Sequence, residues 1–71
     1  PLLESALTDE APRVRTAAIR AIGEIGGPEN LPRLKKMMED PDLAVRTYAA
    51  GNTGRLTNKI AGLPLKKLKG D

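Results

Sequence analysis

The sequence repeats itself. Shifted by 31 positions, Pro1 falls on Pro32, Leu3 on Leu34, Asp9 on Asp40, Val14 on Val45, Arg15 on Arg46, Thr16 on Thr47, Ala18 on Ala49 and Gly23 on Gly54. A fixed period with a helical hydrophobic pattern inside it constrains a chain strongly, because each unit can bury its apolar face only against its neighbours. The repeat predicts one domain over residues 1–71: repeat one over 1–31, repeat two over 32–62, and the first helix of a third unit over 59–71.

Within each period the apolar spacing is helical. Leu3, Ala6 and Leu7 give a short first helix over residues 1–8, with Pro1 near its first turn. Asp9 to Pro12 is a tight turn, and Pro12 suits the start of a helix because its missing N–H would lack a partner there anyway. From about Arg13 to Ile25, the residues Val14, Ala17, Ala18, Ala21, Ile22 and Ile25 form one stripe of period 3.6. Arg20 and Glu24 on the other side are spaced for an i, i+4 pair, and Gly26-Gly27-Pro28 ends the helix.

Leu31, Leu34 and Met38 mark the next short helix, and Asp42 is placed to cap the one after it. Val45, Ala49, Thr53 and Leu56 continue that last stripe up to a break at Thr57-Asn58, in a helix weakened by Gly51, Asn52 and Gly54. After the break, Leu65-Lys66-Lys67-Leu68 repeats Leu34-Lys35-Lys36-Met37, and Asp71 lands on Asp40. The expectation is an all-α chain of about five helices, with Val14, Ala18, Ile22, Ile25, Val45 and Ala49 among the most buried side chains.

Composition agrees with thin layers of closely packed helices. Apolar residues make up 39% of the chain while Tyr48 is its lone aromatic, so small and aliphatic side chains must do the packing. With no Cys and no His, neither a disulfide nor a His or Cys metal site can staple so short a chain. No apolar run approaches the roughly 20 residues of a membrane span, and no secretory leader opens the chain. A soluble, cytoplasmic piece of a longer protein is the expectation. The net charge of +3 is uneven: up to Gly54 seven Lys or Arg face eight Asp or Glu, whereas Arg55, Lys59, Lys66, Lys67 and Lys69 face only Asp71.

The second half of each unit reads Asp-x-x-x-x-Val-Arg-x-x-Ala-x-x-x-x-Gly, first in Asp9, Val14, Arg15, Ala18 and Gly23, then in Asp40, Val45, Arg46, Ala49 and Gly54. This resembles the short HEAT-like repeats of the phycobilisome-lyase type, and the likeness covers nearly the whole chain. HEAT and armadillo units are longer, roughly 40 to 47 residues, and the ankyrin and tetratricopeptide signatures are missing. The resemblance implies an α-α superhelix, a right-handed solenoid of paired antiparallel helices whose second helices line the concave side. It also implies a structural ladder in which Asp9, Arg15, Asp40 and Arg46 bond from one repeat to the next. A guanidinium beside an apolar stripe would in any case need a carboxylate or carbonyl partner.

Catalytic chemistry finds little material here. One Ser with no Cys or His cannot assemble a nucleophile and its base, so the expectation is a chain that is not an enzyme and takes no cofactor. The family that the sequence resembles includes metal-dependent hydroxylases whose repeats supply His-Glu pairs, and with no His this chain cannot carry their site. Gly51-Asn52-Thr53-Gly54-Arg55 is not a phosphate loop and follows no strand; close helix packing accounts for Gly54, as for Gly23. Glu39, Asp40 and Asp42 lack the spacing of a calcium loop and fit helix capping.

Two functional readings remain. The first is a protein-binding scaffold whose concave row is Arg13, Thr16, Arg20 and Glu24 continued by Thr47, Gly51 and Arg55. Tyr48 at the edge of the stripe is either a contact anchor in that row or a filler between repeats. The alternative is nucleic-acid or polyanion binding through Arg13, Arg20, Arg55 and the basic end with Lys59, Lys66, Lys67 and Lys69, although stacking aromatics are missing. Self-association or docking onto further repeats would cover apolar surface at the two ends.

Overall fold

The computed structural model describes residues 2–62. Four α-helices follow one another: α1 over Leu2–Ala6, α2 over Pro12–Ile25, α3 over Leu31–Met37 and α4 over Leu43–Ala61, with a 3-10 turn at Pro28–Asn30 leading into α3. No strand occurs among the described residues. Pro12 opens α2 as expected, and Gly26 and Gly27 leave it at φ of 83° and 97°, a region that favours glycine. Asn30, buried in the turn that follows, donates from Nδ2 to the Gly26 carbonyl at 2.8 Å and accepts from Arg33 Nη1 through Oδ1. The chain reversal is thereby hydrogen-bonded from inside.

The four helices form two pairs. α1 packs on α2, α3 packs on α4, and α2 and α4 make the main contact between the pairs. These two long helices run side by side in the same direction. Arg15 at the start of α2 meets Asp40 just ahead of α4, and near the far ends Lys59 donates to the Glu24 carbonyl. The core between them consists of Leu7, Ala18, Ile19, Ile22, Leu34, Val45, Ala49 and Leu56, with Ala6, Leu31 and Met37 partly buried against it. Each large aliphatic side chain in it contributes about 1.5–3 kcal/mol. None is aromatic, as the composition required.

Several expectations need correction. Ile25 is 67% exposed and Val14 only half-buried, while Ile19, outside the predicted stripe, is fully buried. The register explains the difference. Val45 and Leu56 are buried because they face α2, whereas their equivalents Val14 and Ile25 lie on the other flank of α2, which the described residues cover only in part. Ile19 lies on the side that α4 does cover. Met37 rather than Met38 packs inward, and Ala17 is exposed.

The expected break at Thr57-Asn58 does not occur. α4 runs through both residues to Ala61 and stops at Gly62, in left-handed conformation at φ 73°, ψ 20°. Within it Thr53 and Thr57 donate back to the carbonyls four residues earlier, so both hydroxyls are satisfied inside the helix. The described residues therefore hold four α-helices, not five. Of the helix expected over 59–71, Lys59 to Ala61 belong to α4, and residues 63–71 lie outside the described part of the chain.

Candidate functional site

The two turns that precede α2 and α4 are built alike. In the first, Asp9 Oδ1 accepts the Ala11 N–H at 2.9 Å, and Arg15 Nη1 reaches back to the carbonyls of Asp9 and Glu10 at 2.7 and 3.1 Å. In the second, Asp40 Oδ1 accepts the Asp42 N–H at 2.9 Å, and Arg46 Nη1 reaches the carbonyls of Asp40 and Pro41 at 2.8 and 3.0 Å. Each Asp sets its turn and each Arg closes it. Asp42 caps α4 by accepting the Val45 N–H, while Ala11 at the matching place has no side chain to do so.

A bridge then joins the units. Arg15 Nε donates to Asp40 Oδ2 at 2.8 Å and Nη2 to Asp40 Oδ1 at 3.0 Å, a two-pronged pair whose side chains are 13% and 8% exposed. One guanidinium thus closes its own turn with one nitrogen and grips the next unit's turn with the other two. Burial opposes ionisation of Asp40, but the Arg15 hydrogen bonds, the Asp42 N–H and the charges of Arg15 and Arg46 outweigh it. The carboxyl is held below its ordinary value of 3.8.

Midway along the helices the approach is closer still. A Cβ on Gly23 would lie 2.9 Å from Asn52 Cγ and nearer yet to Oδ1, so any larger residue here would have to displace this side chain. Asn52 donates from Nδ2 to the Tyr48 carbonyl, and its buried Oδ1, facing Gly23, has no hydrogen-bond partner among the described residues. At Gly54, by contrast, a Cβ would meet nothing within 4 Å. The expectation that close packing explains Gly54 is therefore not met by the described residues.

The expected contact residues sit on the solvent side of α2 and α4. Arg13, Arg20 and Glu24 are exposed on α2, Thr16 is half-buried, and Thr47, Tyr48 and Arg55 are exposed on α4. Tyr48 is 44% exposed, so it does not fill a gap between the described helices. Thr16 and Thr47 turn their hydroxyls onto helix carbonyls. Arg20 and Glu24 do not pair: the ion pairs among the described residues are Arg15–Asp40 and the surface pair Arg33–Glu4. Of the basic end, Lys59 extends to the Glu24 carbonyl, while Lys66, Lys67 and Lys69 lie outside the described residues.

A groove of about 470 Å3 opens elsewhere, lined by Leu7 and Met37 with Glu4, Arg33, Lys36 and Asp40 among its polar residues. None of the expected contact residues borders it. It arises from the spacing between α1 and α3, which the periodicity of a single helix does not reveal.

A family model of HEAT repeats matches residues 1–55, both helix pairs up to the middle of α4. The chain belongs to the HEAT-repeat family. No curated protein and no solved structure matches it. HEAT repeats are commonly protein-interaction scaffolds, and no helix among the described residues is long and apolar enough to cross a membrane.

Proposed function

We propose that this HEAT-repeat chain is a non-catalytic scaffold that binds a protein partner through the exposed side of α2 and α4. The supporting observation is Tyr48, 44% exposed on α4 in a chain with no other aromatic residue. A large aromatic side chain left in water is the kind of residue that anchors an interface. Arg13, Arg20 and Arg55 supply cations, Glu24 one anion, and Thr16 and Thr47 complete the row. In this reading the units are of the short phycobilisome-lyase type, the helix pairs continue as a right-handed superhelix, and the row lies on its concave side. The Asp9, Arg15, Asp40 and Arg46 set acts as the ladder that fixes the spacing of successive units.

The test is selection of peptides from a displayed random library against the 71-residue chain. The best binders are then titrated against Tyr48→Ala, Arg20→Glu and Arg55→Glu, with Lys35→Glu and Lys36→Glu on α3 as controls. The proposal expects the first three to weaken binding about tenfold or more and the controls to leave it unchanged. Equal binding by all five variants would refute it. A parallel titration with duplex DNA addresses the alternative: binding that persists as salt is raised would favour nucleic acid as the ligand.

A further inference from the structure

Two contacts fix how the exposed rows of α2 and α4 lie against each other. Gly23 on α2 receives the Asn52 side chain, and Lys59 on α4 donates to the Glu24 carbonyl. Tyr48, Asn52, Arg55 and Lys59 are three or four residues apart on α4 and form one stripe along the α2 seam. Arg13, Thr16, Arg20 and Glu24 form the neighbouring stripe of α2 at the same spacing. Arg20 and Tyr48 each lie one turn before the Gly23–Asn52 contact, and Arg55 lies one turn after it.

The two units differ along this strip. Asp9, Arg15, Thr16, Ala18 and Gly23 are identical in the second unit, whereas Ala17 becomes Tyr48, Arg20 becomes Gly51 and Glu24 becomes Arg55. Gly51 stands exposed between Tyr48 and Arg55, and an added Cβ would meet nothing within 4 Å. No packing among the described residues calls for a glycine that weakens the helix there. Its missing side chain leaves room for another backbone to come close to α4. Arg13, Arg20 and Arg55 are exposed and belong to neither ion pair of the described residues, and Glu24 is the lone acid of the row. All three are arginines, whose forked donors match a carboxylate.

We propose, resting on the protein-binding role given above, that the partner of this face is an extended acidic peptide segment. Its backbone crosses α4 at Gly51, its carboxylates pair with Arg13, Arg20 and Arg55, and an apolar side chain lies on Tyr48. Arg13 and Arg20, seven positions apart on one helix, are about 10 Å apart along its axis, close to the roughly 9 Å between residues three apart in a polyproline II segment. Carboxylates at every third position therefore match the row. A nucleic acid fits it less well: its phosphates call for a continuous cationic track and its bases for stacking platforms, and this row contains Glu24 and one aromatic.

Fluorescence anisotropy with the 71-residue chain tests the proposal, using a labelled peptide with Glu at every third position and Pro, Ala and Leu between, beside its Gln and Lys counterparts. The Glu peptide is expected to bind at least about tenfold more tightly than the Gln peptide, more weakly as salt rises, and the Lys peptide not at all. Arg20→Glu and Arg55→Glu each weaken the Glu peptide about tenfold or more, while Lys35→Glu and Lys36→Glu on α3 leave it within about twofold. Gly51→Gln separates recognition from folding, because it raises the urea midpoint through helix propensity yet weakens the Glu peptide by filling the path of its backbone. Equal binding of the Glu and Gln peptides, both weakened by Tyr48→Ala, would overturn the acidic partner and leave the protein-binding role standing. No binding by the Glu peptide, or binding that Arg20→Glu, Arg55→Glu and Gly51→Gln leave intact, would overturn it too, and the library-selected peptides then decide separately whether the face binds protein at all. A single-stranded oligonucleotide that binds more tightly and displaces the Glu peptide would overturn it in favour of nucleic acid.

Discussion

Arg15 and Asp40 are 25 positions apart in sequence and share two hydrogen bonds, Nε to Oδ2 at 2.8 Å and Nη2 to Oδ1 at 3.0 Å. The bridge makes the turn before α4 part of the surface against which α2 packs. It also ties the placement of α4 to one side chain near the start of α2. Removing the guanidinium takes the donors from Asp40 Oδ2 and from the carbonyls of Asp9 and Glu10, and leaves the Asp40 carboxylate with the Asp42 N–H alone.

Arg15→Ala is therefore expected to destabilise the chain by about 1–3 kcal/mol, while the exposed Arg13→Ala changes stability little. Arg46→Ala falls between them, because Arg46 serves only the carbonyls of Asp40 and Pro41 among the described residues. Arg15→Lys does not rescue, since an ammonium cannot reproduce the fork. Urea midpoints of the four variants check this order, and equal shifts for Arg13 and Arg15 would contradict it.

Acid should weaken the same bridge. The Asp40 carboxyl is held below its ordinary value of 3.8, so the unfolded chain takes up the proton more readily than the folded one. The contribution of this carboxylate is present in full above about pH 3.8 and is lost as pH falls through the lower folded value. Urea unfolding of the parent chain and of Asp40→Asn, followed as a function of pH, should show a gap in stability that narrows below that point. A gap that stays constant into strong acid would exclude Asp40 as the titrating group.

Burial also differs between equivalent positions. Leu56 is fully buried against α2, and its equivalent Ile25 is 67% exposed. Leu56→Ala should cost about 2–5 kcal/mol, whereas Ile25→Ala should stay within about 0.5 kcal/mol. Thermal unfolding of the two variants measures both. Similar losses would mean that the two helices are covered alike.

The 31-residue period made the helical class, the turns and their aspartates and the Asp42 cap legible in the sequence. Periodicity within one helix shows which residues share a stripe but not which side of the stripe a neighbour covers. That is why Ile25 was expected inside and Ile19 was passed over. Asn52 in turn reads only as a weak helix former, since the match that explains it is Gly23, a residue 29 positions earlier on another helix. The persistence of α4 through Thr57-Asn58 was hidden for a similar reason. It depends on Leu56 and Asn58 being buried, and propensity does not report that.

α4 packs on one flank of α2, and among the described residues nothing repeats that contact on α4. The most direct test is the same substitution at the two equivalent glycines, Gly23→Ala and Gly54→Ala, measured by urea unfolding. At Gly23 the new Cβ meets Asn52 Cγ at 2.9 Å, whereas at Gly54 it meets nothing within 4 Å. Gly54→Ala is expected to stabilise the chain by up to about 1 kcal/mol through helix propensity. Gly23→Ala is expected to destabilise it, and the added change Asn52→Ala should recover most of the loss. Opposite signs at the two glycines are the predicted result. Stabilisation at both, or a loss at Gly23 that Asn52→Ala does not relieve, would contradict the packing of α2 against α4 described here.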